Sequence, residues 1–243
     1  MAAPHPPVPA RRTPLPDSQV SKMTRKLRML RALACDASFE QAAKEAGAQY
    51  IAGVDEVGRG ALFGPVVAAA VILPPDCNVD VLQSAGLRDS KQLEAVDRER
   101  LAAMVRDCAV ALAIQEVDAA TIDRVNIYQA TRLAMLGAVA ALQPAPDHLL
   151  IDALRLNHPC PQTSIVYGDS RSLSIAAASV VAKVYRDARM CEFHEQFPAY
   201  GLHEHKGYST PEHGRALLRH GPSRLHRRSF RPVWEAELPW DPC

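Results

Sequence analysis

The sequence predicts an α/β fold: a mixed β-sheet flanked by helices, with a small helical N-terminal extension. Three observations carry that expectation. Residues 50–57, YIAGVDEV, form a β-rich run that Gly58 and Gly60 cut off. The next run, PVVAAAVIL at 65–73, is continuously apolar, which suits a strand buried on both faces and paired with the first as a hairpin. A third strand, AVALAIQEV at 109–117, comes after one helix, and from there strands are separated by helices. Strands first and alternation later give a mixed sheet.

The elements follow in order. Residues 1–20 are Pro-rich without apolar periodicity, so they bury too little surface to offset their ordering entropy and are expected to be a disordered tail. Residues 21–48 are the helical extension. Met23, Leu27, Leu30 and Ala34 recur at spacings of three and four, and a second short helix is expected from Ser38, as N-cap with Gln41 three residues on, to Gly47. Residues 49–233 form the main domain, with a helical C-terminal part, and 234–243 a tail. Within it, residues 89–108 read as a helix opening on a Ser N-cap, Ser90, and 121–143 as one long helix ended by Pro144. HLLIDA at 148–153 and SIVYG at 164–168 read as short strands, and 170–197 as a helix. Its Ala176, Ala177, Ala178 and Ala182 are small enough to let it lie close on the sheet. No internal repeat is found.

Composition narrows the function classes. Lys and Arg number 28 against 27 acids, a formal charge of +1, so any affinity for nucleic acid must be local. The longest apolar run, 66–73, is far short of the roughly 20 residues of a membrane helix. Six cysteines without a CxxC pair, and no secretory apolar region before them, suit reduced thiols in a cytoplasmic protein. Basic side chains concentrate late: 183–233 hold ten against five acids, which suits a phosphate-tracking face, although solvated helix charge is the usual cause of such runs. His203, His205, His213, His220 and His226 crowd the same region. Without a Cys pair they do not indicate structural zinc and are expected to face the surface or phosphate.

Three acids fall where the chain changes direction. Asp55 is in the first strand, Asp152 ends a later one, and Asp169 is in the turn that launches the long Ala-rich helix. Sites in α/β sheets form at the carboxyl ends of parallel strands, so these acids can converge. Convergent carboxylates repel unless a cation lies between them. A hard divalent ion takes oxygen ligands, and two ions about 4 Å apart can stabilise the attacking and leaving oxygens of phosphodiester hydrolysis. A helix cap or Asx-turn would equally account for Asp169 alone. Asp152 follows Leu-Leu-Ile and should be nearly buried, where a cap explains it less well. Asp55 and Glu56 are strand neighbours pointing to opposite faces, so both serve one site only where Gly58 ends the regular strand.

These residues carry a family resemblance. DEVGRG at 55–60, DSKQL at 89–93, IDAL at 151–154, GDSRSLSIAAASVVAKVYRD at 168–187 and HKGYST at 205–210 resemble ribonuclease HII, the type 2 ribonuclease H. The likeness runs through NIYQAT, FPAYGL and HRRSF, over roughly residues 50–233. It departs from the usual pattern at Ala61 and Phe63. The resemblance implies a ribonuclease H-like fold and an endoribonuclease. Such an enzyme hydrolyses the RNA strand of RNA/DNA hybrids and nicks 5′ of ribonucleotides embedded in duplex DNA, by two-metal-ion chemistry leaving 5′-phosphate and 3′-hydroxyl. It implies Mg²⁺ or Mn²⁺ as cofactor, two ions in the catalytic complex. Hybrid and ribonucleotide-containing duplex are its partners, with no membrane and no obligate protein partner. The family's catalytic, metal-holding acids fall on Asp55, Glu56, Asp152 and Asp169. Its glycine-arginine-glycine motif falls on Gly58, Arg59 and Gly60, and its junction-reading tyrosine on Tyr208.

The substrate residues also have plainer explanations. Gly58, Arg59 and Gly60 after a strand offer close backbone amides for a ribose 2′-hydroxyl and a guanidinium for phosphate, or a simple hairpin turn with a solvated Arg. Tyr208 could stack on a nucleotide or be half-buried in a loop. Lys91 and Lys183, inside matched motifs, are expected to touch phosphate, and the run Lys22, Arg25, Lys26, Arg28 and Arg31 to add phosphate affinity rather than chemistry. A non-catalytic binding module on the same fold is the rival. The four acids argue against it, since a pure binder would gain affinity by losing them.

Overall fold

A computed structural model of the chain describes residues 33–74 and 79–237. The chain divides into two units, Met1–Leu33 and Ala34–Cys243, and the account below concerns the second. The expected Pro-rich tail, nearly all of the first extension helix and most of the C-terminal tail lie outside the described residues.

Five strands form one sheet in the order β3-β2-β1-β4-β5, with β1 at Ile51–Val57, β2 at Val66–Ile72, β3 at Ala111–Val117, β4 at His148–Asp152 and β5 at Gln162–Ile165. The pairs β1–β2 and β2–β3 are antiparallel, and β1–β4 and β4–β5 parallel, so the mixed sheet is as the sequence predicts. All seven residues of β2 are buried because both faces of the sheet are covered. On one face Val66, Ala68, Ala70 and Ile72 meet the cluster that includes Ala130, Ala134 and Met135. On the other, Ala69 and Val71 meet Leu101, Val105, Ala177 and Val181.

The helices are α1 (Ser38–Glu45), α2 (Val79–Ser84), α3 (Ala95–Cys108), α4 (Ala119–Val125), α5 (Ile127–Ala140), α6 (Leu173–Gln196), α7 (Leu202–His205), α8 (Pro211–His220) and α9 (Arg231–Glu237). Several ends differ from the expectation. Ser38 is not the cap of α1; the Asp36 carboxylate accepts from Ser38 N instead. Residues 90–92 form a separate 3-10 turn capped by Asp89, and α3 starts only at Ala95. The long helix expected over 121–143 is two helices, broken where Asn126 takes φ 70° and its side chain caps α5 through Gln129 N. Asparagine tolerates the left-handed region, so the break needs neither Gly nor Pro. Ser172, two residues beyond the expected start, caps α6.

Ala176, Ala177, Ala178 and Ala182 of α6 are buried in the cluster with Ala69 and Val71 of β2, and α6 also approaches β1 at Gly53. A Cβ on Gly53 would lie 2.0 Å from the Ser174 carbonyl carbon, so the first turn of α6 rests directly on β1. That contact puts the turn carrying Asp169 over the strand carrying Asp55. A third cluster, built on Phe63, Met190, Tyr200, Leu202, Leu217 and Val233, packs the C-terminal helices against the loop after β1.

Candidate active site

Register brings the first two acids together. Val54 on β1 pairs with Ile151 on parallel β4, so Asp55 and Asp152 stand one step further along, at the carboxyl ends of adjacent strands. Asp55 is buried, and its Oδ1 accepts from Glu56 N at 2.7 Å. Asp152 Oδ1 accepts from Gly168 N at 2.7 Å, which ties the end of β4 to the turn that presents Asp169. Asp169 is buried too, and its Oδ2 lies 3.2 Å from Lys91 Nζ. Glu56 Oε1 lies 3.2 Å from Arg59 Nη1.

The electrostatics show a shared site. Burial raises the Asp55 carboxyl well above its ordinary range, and the charges of Glu56, Asp152 and Asp169 raise it further against the pull of Lys91. Burial likewise raises Glu56, although Arg59 opposes it, and raises Asp152, although its Gly168 bond opposes it. Asp169 is pushed up to about 6, mainly by burial. Lys91 is held above its ordinary value: burial works against its charge, but Asp169, Asp55 and Asp89 outweigh burial.

The donor set suits a hard divalent cation. It is all oxygen, its four acids outnumber the two cations beside them, Lys91 and Arg59, and Glu56 Oε2 is buried with no hydrogen-bond partner. Among the described residues, no three His, Cys, Asp or Glu side chains are already gathered as a chelate. Each acid is turned to its own donor: Asp55 to Glu56 N, Glu56 to Arg59, Asp152 to Gly168 and Asp169 to Lys91.

Gly58 takes φ +87°, and a Cβ there would lie 2.1 Å from Arg186 Nε, whereas a Cβ on Gly60 would meet nothing within 4 Å. Gly58 is required by the fold, and Gly60 leaves open space above the loop. Two fully buried arginines hold this loop. Arg186 donates to the carbonyls of Pro65, Phe63 and Lys206, and Arg227 to those of Gly64 and Arg59. Tyr208 lies alongside: it bridges Ala61 in antiparallel fashion, and Leu62 N donates to Gly207 O at 2.8 Å. Lys183 Nζ is 5.9 Å from the Tyr208 ring centre and 2.8 Å from Asp187 Oδ1. The structure therefore brings Tyr208 beside Ala61, the residue after Gly58, Arg59 and Gly60, ties Lys91 to Asp169, and places Lys183 on the tyrosine side.

His213 and His226 correct the expectation of surface histidines. Both are buried, with their Nε2 atoms 3.1 Å apart. Carbonyl oxygen only accepts, so His213 Nδ1 donates to Tyr208 O, and His213 Nε2 then accepts from His226 Nε2, whose Nδ1 accepts from Ser223 N. Burial lowers both, His226 to about 3, which keeps the relay neutral. Phe63, one of the departures from the family pattern, packs edge-on against His226. Sequence reasoning also missed Asp89, Arg186 and Arg227. Arg186 had a signal, since it continues the buried stripe Ala182, Arg186, Met190 at every fourth residue of α6.

Known proteins align with this chain along most of its length. The model of the ribonuclease HII family matches residues 52–234. A ribonuclease HII of Koribacter versatilis is 53% identical over 220 residues, 90% of this chain and 85% of its own. One of Bacillus cereus is 50% identical over 195 residues, 80% of this chain and 74% of its own. Among solved structures, ribonuclease H2 from Pyrococcus horikoshii superposes with TM-score 0.66 at 24% identity, covering 77% of this chain and 96% of its own. Bst ribonuclease HIII, solved in complex with Mn²⁺, superposes with TM-score 0.63 at 23% identity, over 80% of this chain and 71% of its own. Fold and relatives together define a hydrolytic ribonuclease of the ribonuclease H type. The chain belongs to the ribonuclease HII family.

Proposed function

We propose that this enzyme hydrolyses the RNA strand of RNA/DNA hybrids and nicks 5′ of ribonucleotides embedded in duplex DNA, leaving 5′-phosphate and 3′-hydroxyl. The observation that carries this reading is geometric: Asp55 and Asp152 stand at the carboxyl ends of adjacent parallel strands, Glu56 follows Asp55, and Asp152 accepts from Gly168 N in the turn that presents Asp169. Asp55, Glu56, Asp152 and Asp169 would hold Mg²⁺ or Mn²⁺. When bound, two such ions polarise the scissile phosphate, activate a water and offset the charge that develops.

The chain's own groups set the register of the substrate. The open backbone at Gly60 and the half-exposed Arg59 receive the ribose and its phosphate, and Tyr208 lies against the following sugar. Arg186 and Arg227 keep that loop from relaxing away from the acids. Lys91 and Lys183 add positive charge on the phosphate side. Among the described residues no helix is long and apolar enough to cross a membrane. A DNA duplex with one ribonucleotide, incubated with Mg²⁺ with and without EDTA, tests the reading. A single nick 5′ of the ribonucleotide, lost with EDTA, is expected. Binding without cleavage under both conditions contradicts the enzyme reading and favours a binding module.

A further inference from the structure

Glu40 lies outside the span matched by the family model, on α1, and is nine-tenths buried. Its Oε1 accepts from Ser172 Oγ at 2.6 Å, from Ser174 N at 2.9 Å and also from Ser174 Oγ. Its Oε2 is buried with no hydrogen-bond partner. A buried carboxylate with one bare oxygen is a poor device for stability alone, and Ser172 already caps α6 through Ile175 N. What a charge adds is stiffness, because three charge-assisted donors on one oxygen fix the geometry of both serines.

Those serines lead to the acid cluster. Ser172 N donates to Gly168 O at 2.8 Å, so the turn presenting Asp169 is closed on the residue that Glu40 holds. The chain entering α1 grips the same turn. Asp36 bridges Ser172 in parallel, Leu173 N donates to Asp36 O at 3.1 Å, and the Arg171 guanidinium lies 5.0 Å from the Phe39 ring centre.

We propose that Glu40 is a positioning residue for Asp169: acting through Ser172 and Ser174, it sets the turn from which Asp169 reaches the acid cluster. The segment before the family domain is then part of the scaffold of the site. This rests on the reading that Asp169 serves the reaction.

The test compares Glu40→Ala, Glu40→Gln, Ala42→Gly and Asp169→Asn in the full chain. Steady-state hybrid cleavage, thermal unfolding and hydrogen exchange of the amides at 168–174 are measured for each. Ala42 is exposed on α1, so Ala42→Gly weakens the helix without removing a buried contact. Glu40→Ala is expected to lower kcat roughly tenfold with KM within about twofold, since a small misplacement costs rate more than binding. Glu40→Gln, which keeps an acceptor, recovers most of kcat. Ala42→Gly lowers the unfolding temperature and leaves kcat, and exchange at 168–174 rises in Glu40→Ala alone. Equal kcat losses in Glu40→Ala and Ala42→Gly overturn the proposal, as does wild-type kcat in Glu40→Ala beside an inactive Asp169→Asn. Wild-type kcat in Asp169→Asn overturns the functional reading beneath it.

Discussion

Lys91 Nζ stands 3.2 Å from Asp169 Oδ2 and 3.9 Å from Asp89 Oδ1, so an ammonium group already sits among the acids. Three-quarters of the Lys91 side chain is exposed, so solvent and salt screen the pair and its contribution to stability is small. Its meaning is positional: the ammonium group reaches the acid of the turn that launches α6.

Lys91 does not neutralise that acid fully. Burial raises Asp169 to about 6 against the pull of Lys91, with Asp89 and Asp152 adding to burial. A carboxyl whose folded pKa exceeds its ordinary 3.8 contributes stability that is full below about pH 4 and lost as pH rises through about 6. The metal-free Asp169→Asn variant cannot ionise there. Its unfolding temperature relative to wild type should therefore climb between about pH 4 and 7. A difference that stays flat or falls contradicts the raised carboxyl.

Gly58 and Gly60 should separate fold from substrate. Gly58→Ala puts a side chain at φ +87° and against Arg186, and should cost about 1–3 kcal/mol or more in urea unfolding. Gly60→Ala should unfold like wild type yet cleave hybrid more slowly, because its Cβ enters space that only a ligand would fill. Unchanged cleavage by Gly60→Ala would show that no sugar approaches that backbone.

Tyr208 is expected to read the junction between ribose and deoxyribose, together with Gly58, Arg59 and Gly60. Loop amides can bond a 2′-hydroxyl, while a ring against the next sugar favours one without it. Tyr208→Ala should lose more rate on a single embedded ribonucleotide than on a continuous RNA strand paired with DNA. Equal losses in initial rate on the two duplexes would leave Tyr208 a general binding or packing residue.

The sequence revealed what is local and left hidden what is assembled. The places of Asp55, Asp152 and Asp169 in or at the ends of strands and in a turn are legible in the sequence, Glu56 joins them only through the family resemblance, and β2 is legible because its seven-residue apolar run suits a strand buried on both faces. Glu40 was not legible, since its partners Ser172 and Ser174 are more than 130 residues away. Arg186 and Arg227 fall within the basic run at 183–233, and although Arg186 continues a buried stripe of α6, the loop carbonyls that the two arginines bind are more than 120 residues away in sequence for most of these bonds. The break at Asn126 was missed because asparagine is a weaker signal of positive φ than glycine.

Residues 1–33 carry Lys22, Arg25, Lys26, Arg28 and Arg31 and precede α1 in the chain. Deleting them, and not α1, should weaken hybrid binding most at low salt and flatten the salt dependence by up to about five charges. Cleavage at saturating substrate should be little changed. Equal affinities of the truncated and full chains from low to high salt would remove any role in phosphate binding.

The central claim is that the four acids form one metal-holding centre, and Asp152→Asn tests it most directly, because the amide keeps the bond from Gly168 and deletes the charge. Initial-rate cleavage of a duplex with one ribonucleotide, at saturating Mg²⁺ and substrate, should fall by roughly a hundredfold or more while hybrid affinity holds or tightens. Wild-type turnover by Asp152→Asn would contradict the account.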